Sequence, residues 1–136
     1  MHTEATRRFI YRYIEEVWHN RNLEAAERDF WHPEIKNRYA PEYPNGTDGL
    51  KKQLLPIFGA FSDLRVEIED LLIDDDMVAA RLTVRLTHSG QFAGIPATGK
   101  RASFHAALWQ RVKDGKLHDF WLIADWSSLY DQLQND

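Results

Sequence analysis

The 136-residue sequence predicts an α+β fold, with N-terminal helices packed on a curved, mostly antiparallel sheet. Three observations carry that prediction. Apolar residues recur at helical spacing as far as residue 61. They alternate at strand spacing from residue 64 onward. No repeat, linker or low-complexity stretch interrupts either half, so residues 1–136 read as a single domain.

The elements follow in order. Phe9, Ile10, Tyr13, Ile14, Val17 and Trp18 form one apolar stripe, which predicts an amphipathic helix over residues 3–20. Asn20-Arg21-Asn22 breaks it. A second helix over residues 23–30 takes Asn22 as its N-cap and Glu24 in its first turn. Pro33 closes that helix, because the residue before proline is pushed out of the α region. Residues 34–39 are a short extended piece, and residues 40–46, with two prolines and a glycine, are a loop. Thr47 is expected to cap a third helix ending near Phe61, with Pro56 kinking or splitting it. Leu64, Val66 and Ile68 then alternate with charged residues. After the turn at residues 74–76 a longer alternation runs from Val78 to Thr87. Residues 94–99 are turn chemistry, residues 100–112 a strand, residues 113–116 a hairpin turn and residues 117–126 the last strand. Residues 127–134 form a terminal helical turn.

Composition narrows the function classes. Seventeen basic residues are interspersed with twenty-one acidic ones for a net charge of −4, which argues against a clustered basic face for nucleic acid. No run of ~18 apolar residues speaks for a membrane span. The absence of cysteine excludes disulfides and thiolate chemistry, and the polar opening residues lack the apolar core of a signal peptide, so the cytoplasm is the expected location. The six histidines have no metal-ligand spacing, and Asp74 to Asp76 read as a solvated turn rather than a calcium loop. Five tryptophans are a heavy load for a domain of this size, filling a core or lining an apolar cavity.

The most informative stretches are Gly90-x-Phe92-x-Gly94-Ile-Pro-Ala-Thr-Gly-Lys100, Arg111-x-x-Asp-Gly-Lys-Leu117, and Trp121-x-x-x-Asp125 followed by Leu129 and Gln132-Leu133. With the order of elements, they resemble the SnoaL-like polyketide (ester) cyclases of the nuclear transport factor 2-like superfamily, over nearly the whole chain. The resemblance implies a cone-shaped α+β barrel enclosing a pocket for a flat, apolar, oxygenated molecule, and a cofactor-free, metal-free aldol-type cyclisation in which one aspartate is both acid and base. Asp125 aligns with that aspartate. The superfamily also implies pairing into a homodimer through the outer face of the sheet, and it supplies non-catalytic binding modules as well as enzymes.

A carboxylate at the apolar end of a tryptophan-rich strand is costly to ionise without a task or a partner. Asp125 shares strand parity with Asp119, Trp121 and Ile123. If Lys113-Asp114-Gly115 is a three-residue loop, Val112 pairs with Lys116, and Asp125 lies opposite Ser103 on the face of His105, Trp109 and Arg111. If Asp114-Gly115 is a two-residue turn, Asp125 lies opposite Phe104 and His105 moves to the other face. Turn-type preference favours the first. In that arrangement Asp125, desolvated by Trp121 and Trp109, removes a proton α to a carbonyl, while His105 or His88 donates to the resulting oxyanion. His88 continues the interior parity of Val84 and Leu86, and Asn37 and Tyr39 could orient a substrate oxygen. Beside this stands a plainer role for each: Asp125 as N-cap of the terminal helix, the histidines as satisfied interior or rim groups, the tryptophans as core, and Arg111 as an ion-pair partner. The catalytic alternative requires Asp125 to be buried in a hollow of roughly 300 Å³ or more.

Overall fold

The computed structural model describes residues 3–38 and 42–135. Five strands form one sheet in the order β1-β5-β4-β3-β2. β1 (Trp31–Asn37) runs parallel to β5 (Lys116–Ala124), and β2 (Phe61–Asp74), β3 (Met77–His88) and β4 (Arg101–Lys113) complete an antiparallel meander with it. The sheet curves round the helices without closing, giving the expected α+β cone.

Helix α1 (Thr3–Tyr13) buries Ile10 and Tyr13 and continues as π-helical turns over Ile14–His19, which bury Ile14 and Val17. Sequence periodicity alone had no means of separating those wider turns from an ordinary helix. Arg21, at φ 58°, turns the chain, and its guanidinium donates to the carbonyls of Phe58 and Phe61, tying this corner to the start of β2. His19 makes a second tie. Its Nε2 accepts from the Val66 amide at 2.9 Å, while Nδ1 faces Glu15 at 2.7 Å. The side chain of Asn22 caps α2 (Leu23–Ala25) as expected, accepting from the Ala25 amide, and α2 continues as π-turns over Ala26–Phe30.

Helix α3 (Thr47–Ala60) corrects two expectations. Its N-cap is Gly46 rather than Thr47, and it runs unbroken through Pro56. Pro56 is exposed, so the carbonyl it leaves without an intrahelical partner sits on the wet side. The helix ends at Ala60, near Phe61 as expected, and Phe61 begins β2. Gly90 is fixed by close packing: a Cβ there would stand 2.2 Å from the Gly59 carbonyl oxygen.

The inner face of the sheet is the even-numbered series on β3 and β4: Val78 to Leu86, and Ala102 to Gln110. The β4–β5 hairpin resolves the open question of register by combining both alternatives. Asp114 and Gly115, at φ 53° and 73°, form a two-residue turn with Lys113 paired to Lys116. One step later β5 bulges, so that Val112 pairs with Leu117 but Arg111 pairs with Asp119. The extra residue restores the parity of the three-residue alternative. Trp109 then faces Trp121, and Ala106 faces Ala124.

Helix α4 (Trp126–Gln134) is fastened where β5 runs out. The Asp125 amide donates to the His105 carbonyl at 3.0 Å. The Gln132 amide then takes both backbone groups of Ser103, accepting its N–H at 3.0 Å and donating to its C=O at 2.8 Å. Lys100 Nζ reaches the Leu133 and Asn135 carbonyls at the far end, where a cation suits the helix dipole. Leu129 and Leu133 are core. Asp125, Leu129, Gln132 and Leu133 thus all serve to hold this helix.

Candidate functional site

Between the helices and the inner sheet face lies a cavity of about 50 Å³. Ile14 and Trp18 approach from the first helix, Ile57 from α3, and Trp126 from α4. The sheet contributes Phe61, Leu64 and Val66 from β2, Leu82, Val84 and Leu86 from β3, the row Phe104, Ala106, Leu108 and Gln110 from β4, and Phe120, Leu122 and Ala124 from β5. That is well short of the ~300 Å³ usual for the fused-ring ligand the sequence suggested.

Phe104 and Trp126 meet at one end, with ring centroids 5.6 Å apart. Gln110 lies six residues further along β4, about 20 Å at strand rise. The loop after β3 folds over the aromatic end. Phe92 packs 4.8 Å from Phe61 and 6.2 Å from Trp126, and Phe92 and Ile95 exchange backbone hydrogen bonds.

The expected catalytic pair is elsewhere. Asp125 and His105 do share a face with Trp109 and Arg111, but that face is the outer one. Asp125 is exposed, and its carboxylate accepts from the Ser128 amide at 3.1 Å as the N-cap of α4, the plainer of its two roles. His105 is exposed beside Thr83 and Asp125. The desolvated setting expected for Asp125 is therefore corrected, because the β5 bulge turns the odd-numbered series to the outside. Trp109 and Trp121 are likewise corrected as cavity liners. They form a cross-strand pair on the outer face, Trp109 being 40% exposed and Trp121 lying under the Arg38 guanidinium at 5.6 Å. Arg111 is the ion-pair partner expected, 2.8 Å from Asp76 and 3.4 Å from Asp119, and the hydrogen bond to Asp76 is the main cause of its raised pKa.

The remaining expected residues are placed as follows. His88 is fully buried, as its parity predicts, but its role there is to order the loop. Nδ1 accepts from the Thr98 amide at 3.3 Å and contacts the Thr98 hydroxyl at 2.9 Å, while the ring packs on Phe61 and does not line the cavity. Asn37 is buried and joins β1 to α3 by donating to Gln53, and it borders a surface cleft with Tyr43 and Asn45 instead of the cavity. Tyr39 lies outside the described residues. Among the described residues no group of three His, Asp or Glu side chains is arranged to hold a metal ion.

Sequence reasoning passed over Gln110 and Trp126. The signal for Gln110 was present: it is the one polar residue in the series Ala102, Phe104, Ala106, Leu108, Gln110. It is fully buried, and neither its Oε1 nor its Nε2 has a hydrogen-bond partner among the described residues. Behind the wall, Tyr13 is also fully buried and accepts from the Trp31 indole N–H at 3.1 Å; burial pushes its phenol up to about 12.

A curved five-stranded sheet wrapped on helices about an apolar hollow defines the cone-shaped, nuclear transport factor 2-like class of α+β protein. The sequence profile of the SnoaL-like polyketide cyclases matches residues 8–133, and the chain belongs to that family. TsrD from Streptomyces laurentii superposes with a TM-score of 0.86 at 22% identity, over 96% of each chain, a likeness of fold. AclR from Streptomyces galilaeus, which carries the name of a hydroxylase, gives 0.81 at 29% identity, over 95% of this chain and 81% of that one. IdmH from Streptomyces antibioticus, which carries the name of a polyketide cyclase, gives 0.76 at 26% identity, over 90% and 94%. No curated protein matches the sequence at a significant level. Among the described residues, no helix is long and apolar enough to cross a membrane.

Proposed function

We propose that this member of the family binds a small, largely apolar carbonyl compound in the cavity between helices and sheet, without proton transfer by Asp125. One observation carries the proposal: among the described residues, no Asp, Glu, His, Lys or Arg lines the cavity. A general base must come within ~3 Å of the proton it removes, directly or through one water. The carboxylate of Asp125 is committed to an exposed helix cap on the opposite face of the sheet. The apolar walls supply the binding free energy, roughly 25 cal/mol per Å² of apolar surface removed from water. The test is titration of the methyl-labelled protein with cyclopentanone, followed by NMR. Shifts confined to the methyls of Ala106, Leu108 and Leu122 are expected; shifts confined to the surface round Asp125 would overturn the proposal.

A specific observation favours a second role for the outer face. Leu72, Ala79, Trp109 and Trp121 pair in one row straight across β2, β3, β4 and β5, with Leu72 71% and Ile123 64% exposed. The neighbouring ladder carries Arg81 with Asp70 and Arg85 with Glu67. An apolar row beside ladders of both charge signs is self-complementary, as an isologous pair of copies requires. Sedimentation would show the dimer, and Trp109→Glu is expected to dissociate it.

A further inference from the structure

We infer that Gln110 is the specificity-determining group of the cavity, selecting neutral ligands that present a hydrogen-bond donor and an acceptor side by side, as the edge of a lactam, a primary carboxamide or an undissociated carboxylic acid does. The inference rests on the ligand-binding role proposed above and names the chemistry of the ligand.

Gln110 sits at the end of the cavity far from Trp126, between Val78 and Phe120 on the adjacent strands, and is fully buried. Both atoms of its amide lack a partner among the described residues. A side-chain amide left so costs stability, and a leucine of similar size would fill the same space without that cost. The amide is therefore explained by what it meets when the cavity is filled. A ketone satisfies only the Nε2 donor, and an ether does no more. A cis-amide edge offers N–H to Oε1 and C=O to Nε2 at once, closing a ring of two hydrogen bonds with both atoms satisfied. An ionised carboxylate is excluded by the same walls, since among the described residues no cation lines the cavity to balance it. Water is a poor substitute at this end of the hollow. Buried waters usually make about three hydrogen bonds, and Gln110 can give a single water at most two.

The experiment uses the full chain and two probes of nearly equal shape, 2-pyrrolidone and cyclopentanone, titrated by NMR on the cavity methyls. In the wild type, 2-pyrrolidone is expected to bind at least tenfold more tightly. Gln110→Leu and Gln110→Met are expected to remove that preference, bringing the ratio of the two affinities near one. Two variants guard against one that fails to fold, and an unchanged methyl spectrum outside the cavity establishes folding in each. If cyclopentanone binds in the cavity but the ratio of the two affinities is near one in the wild type, or is unchanged in the variants, the role of Gln110 is overturned and the pocket stands. If neither probe moves the cavity methyls, both fall.

Discussion

Gln110 and Tyr13 show two ways in which this protein buries a polar group. Tyr13 is buried with a partner, and its phenol accepts the Trp31 indole N–H. Burial raises its folded pKa to about 12, above the ordinary tyrosine value of 10.0, so the stabilisation it carries is fully present below pH 10 and is lost as pH rises towards 12. Two pH units correspond to about 2–3 kcal/mol. Tyr13→Phe is expected to flatten the stability profile between pH 10 and 12. At neutral pH it should cost about 1–3 kcal/mol, because Trp31 then keeps a buried donor without that partner. Urea denaturation across that range measures both effects, and an unchanged alkaline slope would contradict the assignment. Gln110 is the reverse case. Gln110→Leu is expected to raise stability by about 1–3 kcal/mol, since it removes an unsatisfied buried amide at nearly constant volume. Asp125 carries a third expectation. Asn is as good an N-cap as Asp, so Asp125→Asn should change stability by a few tenths of a kcal/mol, whereas Asp125→Ala should cost about 0.5–2 kcal/mol. Neither should alter ligand affinity in the cavity, and a large loss of affinity in Asp125→Asn would return the carboxylate to the site.

At the scale of elements, the two readable signals were period and punctuation. The alternation from Val78 to Thr87 and the cap at Asn22 were legible because each rests on local physics: side-chain direction along a strand, and an orphan amide at a helix start. The face presented by β5 was not legible. It depends on one bulged residue between Leu117 and Asp119, and no local propensity marks it, while its effect is to exchange Trp121, Ile123 and Asp125 for Phe120, Leu122 and Ala124 at the cavity. Deleting His118 takes out the extra residue and leaves Arg111 opposite Asp119 and Trp109 opposite Trp121, so Asp119, Trp121 and Ile123 stay on the outer face and a cooperative unfolding transition is expected to persist. Loss of the cooperative transition in that deletion, measured by urea denaturation, would contradict this register. Helix α4 was legible as an element but not in purpose. Its Asp125, Leu129, Gln132 and Leu133, all within the stretch that carries the family resemblance, cap it, bury it and close the free edge of β4 at Ser103. A sequence signature can mark a family through its scaffold, which is why this one revealed the fold while its Asp125 stands at an exposed helix cap.

For the whole molecule, the curvature of the sheet separates two surfaces of different character. The inner one meets the helices round a small hollow of apolar walls with a single amide at one end; the outer one carries the row from Leu72 to Trp121 and the charged ladders beside it. The aromatic cluster of Phe61, Phe92, Phe104 and Trp126 lies over the other end of the hollow, on the loop side. Family membership fixes the architecture, and the side chains on the two faces decide what each can bind. The most direct measurement is a crystal structure of the protein soaked with cyclopentanone. Density between Leu108, Leu122 and Trp126 is the expected result. Density on the outer face against Asp125 and His105, with the cavity unchanged, would contradict an internal binding site.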